Sequence, residues 1–187
     1  MEHRIRAPLS RAQAAVLCAG DLVYLQGTIY TARDAAHQRL IALLDTGKPL
    51  PFPVEDAIIY YVGPSPAGPG RIIGSAGPTT SYRMDPYTPR LLARGLRGMI
   101  GKGTRSAAVV QAMEETGAVY LGAIGGAGAL LADRIKAAQV IAFADLGTEA
   151  IHRLSVQDFP TVVLIDSRGN NLYQTGRAAY LQERSKS

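Results

Sequence analysis

Between residues 91 and 143 the chain alternates short apolar runs with segments in which apolar residues recur at helical spacing. We interpret residues 98–100, 119–121 and 140–143 as strands, and residues 91–93, 106–115 and 127–136 as helices. A strand, a helix and a second strand in that order form a unit whose two strands run parallel. The alternation therefore predicts an α/β fold with a partly parallel sheet.

The segments outside this region add further strands and helices. Ser10 suits the N-cap of a helix that runs to Ala19, and a second helix is predicted over residues 34–44. The other predicted strands cover residues 21–31, 57–62, 72–75, 151–156 and 161–166. A length of 187 residues with 47% apolar residues predicts one domain over residues 1–187. We expect residues 176–187, which are mostly polar, to form a frayed tail.

Hydropathy and charge exclude two classes of partner. No apolar run approaches the roughly 18 residues of a membrane span, and the start of the chain lacks the apolar stretch of a secretory signal. These features predict a soluble, cytoplasmic protein. The net charge of +5 comes from 16 Arg and 4 Lys that are scattered along the chain. Because nucleic-acid binding needs a contiguous basic face, we favour attraction of a small dianion instead.

Cys18 is the only cysteine of the chain. A single thiol excludes an internal disulfide and cannot supply the three or four thiolates that usually ligate an iron–sulfur cluster. Cys18 falls on an apolar stripe of the first predicted helix, together with Ala14 and Leu17. We therefore expect a buried, structural thiol.

Two turns bounded by glycine present hydroxyl and cationic side chains just before predicted helices. The first is Gly77-Pro78-Thr79-Thr80, with Arg83 one turn further on, and the second is Gly101-Lys102-Gly103-Thr104-Arg105-Ser106. Free backbone N–H groups at a helix start favour an anion, so the turns predict a site for a small anion. A helix cap is the alternative for Thr79 and Thr80. The second turn lacks the GxxxxGK[ST] spacing of a nucleotide-binding loop.

Six blocks carry a resemblance that extends over most of the chain. They are Gly27–His37, Gly77–Arg83, Gly101–Ser106, Tyr120–Gly126, Asp145–Ile151 and Val156–Pro160. In this order they resemble the C-terminal, or beta, half of the iron–sulfur hydro-lyases of the class I fumarase and L-tartrate dehydratase family. The resemblance implies the family's three-layer β/β/α swivelling domain, which packs against a larger partner.

The resemblance also implies a reaction and a partner. The reaction would be the reversible conversion of (S)-malate to fumarate and water, carried out by the beta subunit of a two-chain enzyme. A cysteine-bearing alpha subunit would hold a four-iron four-sulfur cluster, and this chain would supply no metal ligand. Ser81-Tyr82-Arg83 resembles the two-chain forms. The alternatives are an L-tartrate dehydratase beta subunit and a non-catalytic assembly module on the same fold.

The same resemblance implies roles for single residues. Thr79 would be the catalytic base, while Arg33, Arg83 and Lys102 would bind the substrate's carboxylates. The alternative for Arg33 is a surface side chain paired with Asp34 or Asp85. The candidate supporting residues are His37, Thr80, Asp85, Arg105 and Ser106. We expect His37 either to order Arg33 or to have a structural role, and Asp85 to orient Arg83 across Met84. Arg105 and Ser106 favour fumarate as the substrate, since tartrate dehydratases tend to lack this arginine.

Overall fold

The computed structural model describes residues 1–123 and 128–176. Its strands are β1 (Glu2–Ala7), β2 (Leu22–Thr31), β3 (Ile58–Tyr60), β4 (Gly98–Gly101), β5 (Val119–Gly122), β6 (Ile135–Ala142) and β7 (Ile151–Ile165). Its α-helices are α1 (Arg11–Ala15), α2 (Asp34–Asp45), α3 (Thr88–Leu92), α4 (Ala107–Thr116) and α5 (Gly128–Asp133). Short 3₁₀ helices cover Ser81–Met84 and Ala144–Glu149. No helix in these two described ranges is long and apolar enough to cross a membrane.

The seven strands form one mixed sheet in the order β1-β2-β3-β4-β5-β7-β6. Strands β1 to β5 pair in parallel, as the strand–helix alternation predicts for its central part. Strand β7 runs antiparallel to β2, β5 and β6. The pairing of β7 with both β2 and β5 closes β2, β3, β4, β5 and β7 into a ring. The α/β class and the partly parallel sheet are confirmed, whereas a closed ring matches the implied three-layer arrangement only in part.

Two apolar clusters lie on the two faces of the ring. Side chains alternate between the faces of a strand, so Ile58 joins one cluster and Ile59 joins the other. The first cluster takes residues from all five ring strands and therefore fills the interior. The second contains Leu40 of α2, Leu92 of α3 and Met113 of α4. These helices thus cover the outer face of the parallel strands.

Several predicted boundaries differ from the structure. Ser10 is the N-cap of α1 in a capping box with Gln13, as predicted, but the helix ends at Ala15. Residues 72–75 form no strand. The last predicted helix ends at Asp133, and β6 begins at Ile135. The predicted tail beyond residue 176 and the glycine pair Gly125-Gly126 lie outside the described residues.

The prediction of two strands over residues 151–166 is wrong, because β7 continues through Pro160. Phe159 and Pro160 remain paired with Leu25 and Tyr24 of β2. A register shift opposite Leu25 and Gly27 accommodates Asp158, whose φ is 49°. A bulge bends and twists a strand without ending it, so this long strand can reach β5 after it leaves β6.

Candidate functional site

The predicted site residues follow the carboxyl ends of parallel strands. Arg33 comes two residues after β2 ends at Thr31, and Lys102 directly follows β4. The carboxyl ends of parallel neighbours meet at one edge of a sheet, where α/β proteins commonly bind ligands. The fold therefore places Arg33 and Lys102 at the same edge.

Residues 79–81 insert between β3 and β4 at this edge. The Thr79 N–H donates to the Tyr61 carbonyl at 2.7 Å, and the Ser81 N–H donates to the Lys102 carbonyl at 2.9 Å. Thr80 forms a parallel bridge with Lys102. Thr80 also occupies the N-cap position of the 3₁₀ helix, but its side chain makes no capping hydrogen bond within the described chain. Capping thus does not account for Thr80, and the two predicted anion-binding turns lie side by side.

Glycine at positions 101 and 103 is required for this close approach. A Cβ atom on Gly101 would lie 2.0 Å from Ser81 Oγ, so a larger residue would force the two turns apart. Gly103 has a φ of +82°, which favours glycine. The Tyr120 hydroxyl lies 3.0 Å from the Gly103 carbonyl oxygen and 2.8 Å from Ser81 Oγ. The hydroxyl donates to the carbonyl and can accept from Ser81 Oγ. Tyr120 thereby links the two turns, in addition to the backbone hydrogen bond between Ser81 and Lys102. Lys102 itself is exposed.

Arg33 and Arg83 meet at one carboxylate. Arg83 Nε lies 2.9 Å from Asp34 Oδ1, and Arg33 Nη2 lies 3.8 Å from Asp34 Oδ2. Arg33 Nη2 also lies 3.3 Å from Glu149 Oε1. The Arg33 side chain is 21% exposed and that of Arg83 is 44% exposed, so neither side chain is fully buried. Two guanidinium groups joined through one carboxylate can present donors to a ligand with two carboxylates.

His37 contacts Arg33, as one of its two expected roles requires. Its Nδ1 lies 2.8 Å from the Arg33 carbonyl oxygen. Burial lowers the pKa of His37 from 6.5 to about 4, so the ring is neutral near pH 7. Since a carbonyl can only accept, Nδ1 carries the proton and donates. His37 thereby holds the backbone at the residue that precedes α2.

Three polar atoms near the start of α2 are buried without a hydrogen-bond partner among the described residues: Arg33 Nε, Asp34 Oδ2 and His37 Nε2. The first is a donor, and the other two are acceptors when His37 is neutral. Buried polar atoms in proteins normally have partners. The start of α2 therefore holds three buried polar atoms that the described residues leave without hydrogen bonds.

Asp85 does not contact Arg83, so its predicted orienting role is wrong. The Asp85 carboxylate lies 2.7 Å from Arg105 Nε and accepts from the Ser106 N–H at 2.6 Å. Arg83 pairs with Asp34 instead because the 3₁₀ helix directs Asp85 toward the second turn. Ser106 is the N-cap of α4 and accepts from the Val109 N–H.

Arg105 is a buried structural group. Its side chain has no exposed surface, and its guanidinium lies 5.3 Å from the Tyr61 ring centroid and 5.1 Å from that of Tyr120. Arg105 Nη2 donates to Thr88 Oγ1 at 2.9 Å. Arg105 therefore stabilises the second turn, and its supporting role at the site stays a prediction.

Cys18 is neither helical nor fully buried, contrary to prediction. It follows the end of α1, is half-buried, and lies with its Sγ 3.1 Å from Arg168 Nη2. The described ranges contain no group of three or more His, Cys, Asp or Glu side chains that could bind a metal ion. A single cysteine cannot supply the three or four thiolates that usually ligate an iron–sulfur cluster.

Sequence reasoning missed Glu149 and Gly63. Glu149 lies inside the block Asp145–Ile151. The family resemblance of this block marks the segment, but it implies no chemical role for Glu149. Gly63 follows β3 and faces the Arg33 side chain: a Cβ on Gly63 would lie 2.8 Å from Arg33 Nη1. Only the fold reveals this proximity, since the two residues are distant in sequence.

Comparison with known proteins gives consistent matches. The family model described as fumarase C-terminus matches residues 2–176. The chain is 41% identical over 165 residues to fumarate hydratase 2 of Leishmania major, covering 87% of this chain and 29% of that protein. It is 45% identical over 152 residues to the anaerobic class I fumarate hydratase of Escherichia coli, a match that covers 80% of this chain and 28% of that enzyme. The chain thus spans less than a third of the length of these two enzymes.

A different relative has nearly the same length as this chain. The chain is 38% identical over 172 residues to a Methanocaldococcus jannaschii protein named as an L(+)-tartrate dehydratase beta subunit. The match covers 89% of this chain and 88% of that protein. The similarity therefore includes both one segment of long enzymes and almost the whole of a separate subunit.

Proposed function

Because this chain belongs to the fumarase C-terminus family, we propose that it is the beta subunit of a two-chain fumarate hydratase that interconverts (S)-malate and fumarate. One observation carries the proposal: Arg33 and Arg83, which the family motifs single out, share Asp34 at distances of 3.8 and 2.9 Å. A dicarboxylate needs two such cationic groups. The near-complete match to a named beta subunit supports the two-chain arrangement.

The cationic side chains bind the substrate in this proposal. Arg33 and Arg83 each bind a carboxylate, since a planar guanidinium can donate two parallel hydrogen bonds to it. Lys102 adds a third positive charge from the neighbouring turn, where its ammonium is exposed and able to adjust. Arg33 and Arg83 are balanced by the carboxylates of Asp34 and Glu149, so Lys102 supplies the net positive charge among these five side chains.

Thr79 is the proposed base. In the direction from malate to fumarate, it removes the proton from C3 while hydroxide departs from C2, which leaves the double bond of fumarate. The proton and the hydroxide together make up the one water that the reaction releases. A threonine hydroxyl is a weak base. Positive potential from Arg83 and Lys102 favours its deprotonated form, and a carboxylate of the partner would take the proton onward.

A partner subunit supplies the missing part of the site. A cluster with three or four thiolate ligands belongs to a cysteine-bearing alpha subunit, because Cys18 is alone and paired with Arg168. When bound there, the cluster's iron would act as the Lewis acid for the substrate hydroxyl. In this proposal the chain is the swivelling domain that packs against that larger subunit.

L-tartrate dehydratase is the second candidate, and the match to the M. jannaschii beta subunit favours it. Fumarate remains preferred because Arg105 and Ser106 follow the Gly101-Lys102-Gly103 turn, as in fumarase-like members of the family. Arg105 and Ser106 both contact Asp85. The two residues that favour fumarate therefore also stabilise the second turn.

The test is a reconstitution with the alpha subunit from the same source. We expect the complex to convert malate to fumarate, measured by absorbance of the double bond, while each chain alone is inactive. Turnover of tartrate to oxaloacetate in place of malate would select the second candidate. Activity of this chain alone in the presence of a chelator would contradict the proposal that the alpha subunit supplies the cluster. An iron-loaded complex without activity would favour the non-catalytic module.

A further inference from the structure

Glu149 connects two groups at the start of α2 although it comes from a distant part of the chain. Its Oε2 accepts from the Ala35 N–H at 3.0 Å, and its Oε1 lies 3.3 Å from Arg33 Nη2. Arg33 occupies the N-cap position of α2, and its own side chain makes no capping bond within the described residues. Glu149 therefore caps the helix from outside and contacts the Arg33 guanidinium with the same carboxylate.

The Arg33 guanidinium is also confined on a second side. A Cβ on Gly63 would lie 2.8 Å from Arg33 Nη1 and 3.1 Å from the Thr148 carbonyl oxygen. The side chain thus lies in a narrow space between Gly63 and the 3₁₀ helix that ends at Glu149. Its Nε has no hydrogen-bond partner among the described residues. The space therefore confines the guanidinium on this side.

We propose that Glu149 is a positioning residue for Arg33, an inference that rests on the proposed function. A long Arg side chain loses rotamer freedom when it binds an anion, and a fixed ion pair removes much of that loss before the ligand arrives. The Glu149 carboxylate holds Nη2 while its other oxygen is anchored on the helix backbone. Arg33 is thereby aligned for a substrate carboxylate without Glu149 contacting the substrate.

Glu149→Gln in the assembled complex separates this role from a purely structural one. Glutamine keeps an oxygen for the Ala35 N–H but removes the charge that orients Arg33. We expect KM for malate to rise about tenfold while kcat changes less than about threefold, since a binding group acts on substrate and transition state alike. Glu149→Asp, which keeps the charge on a shorter side chain, should recover part of the loss.

Asp145→Asn is the matched control. Asp145 belongs to the same 3₁₀ helix and accepts from Arg39 Nη1 at 2.8 Å, but this pair is exposed. We expect its kinetic constants to equal those of the wild type. An unchanged KM in Glu149→Gln would overturn the proposal. An equal rise in KM in Glu149→Gln and Asp145→Asn would also overturn it. So would a rise in KM in Glu149→Gln that comes with a lower melting temperature, because the loss would then come from a weakened fold.

Succinate binding gives a readout that does not depend on turnover. Succinate carries the same two carboxylates, and calorimetry on the complex should show a dissociation constant raised about tenfold by Glu149→Gln. If the wild-type complex binds succinate but converts neither malate nor tartrate, the proposed function fails while weaker binding still supports Glu149. Equal succinate affinity in both proteins, or no binding to the wild type, counts against Glu149.

Discussion

Asp34 lies between the two arginines of the candidate site, with Oδ1 2.9 Å from Arg83 Nε and Oδ2 3.8 Å from Arg33 Nη2. Asp34, in the first turn of α2, thus aligns Arg33, which follows β2, with Arg83 of the 3₁₀ helix. In the proposed function each arginine binds a substrate carboxylate, so we expect Asp34 to set the spacing between these two arginines.

Asp34→Asn should weaken substrate binding by releasing both arginines from this alignment. We expect KM for malate to rise about tenfold in the reconstituted complex, with a smaller change in kcat. Asp45→Asn is the control, because Asp45 ends the same helix and pairs with Arg90 at the exposed surface. A KM that changes equally in the two variants would show that Asp34 has no special role.

Thr79→Ala should lower kcat by at least about 100-fold and change KM little, because a base acts mainly in the transition state. Thr79→Ser retains a hydroxyl and should recover most of the rate. Steady-state kinetics with malate in the complex measure both. Near-normal turnover of Thr79→Ala would remove Thr79 as the base.

Arg105→Ala should destabilise the fold by about 3 kcal/mol, the cost typical of removing one partner from a buried ion pair. The Arg105 side chain is fully buried and that of Asp85 is 11% exposed. Arg90→Ala breaks an exposed pair with Asp45 and should change the free energy of unfolding by less than about 1 kcal/mol. Urea denaturation of the chain measures both. Similar values for the two variants would contradict the structural role of Arg105.

The sequence predicts the parallel half of the fold well, because its strands and helices alternate and are marked by glycine turns. Closure of the ring depends on β7, whose Pro160 suggests a strand end by local rules. The pairing of Pro160 with Tyr24 overrides that preference, and only the register with β2 reveals it. Local propensity cannot report such long-range pairing.

The site divides in the same way. Thr79, Arg83 and Lys102 are candidates because glycine turns with hydroxyl and cationic side chains are visible in the sequence, and Arg33 is a candidate through the family resemblance. The carboxylates that orient them are not found in this way. Asp85 is two residues from Arg83 in sequence but pairs with Arg105, whereas Asp34 and Glu149 reach the arginines through folding. Ion-pair partners depend on side-chain direction, which sequence spacing does not fix.

His37 should make the fold less stable at mildly acidic pH. Burial is the main cause that lowers its pKa from 6.5 to about 4, Arg105 lowers it further, and the Arg33 carbonyl and Asp34 act in the opposite direction. The unfolded chain therefore binds a proton first as the pH falls, so stability is lost between about pH 6.5 and pH 4 and levels off below.

The variant His37→Asn isolates this effect, since its amide can donate to the Arg33 carbonyl but does not titrate. Between pH 7 and pH 5, the free energy of unfolding of the wild type should fall by roughly 2 kcal/mol more than that of the variant. Urea denaturation at the two pH values gives the difference. Parallel pH profiles would contradict a neutral, buried His37.

Gly63→Ala should displace the Arg33 guanidinium and leave the fold almost unchanged. The added Cβ would lie 2.8 Å from Arg33 Nη1, the end of a flexible side chain, and 3.1 Å from the Thr148 carbonyl oxygen, and the φ of Gly63 is one that alanine can adopt. We expect KM for malate to rise about fivefold or more in the complex, with a melting temperature within a few degrees of the wild type. Gly68→Ala is the control, because a Cβ on Gly68 would meet nothing within 4 Å among the described residues. If Gly63→Ala kept the KM of Gly68→Ala, Arg33 would tolerate displacement and its assigned role in substrate binding would be lost.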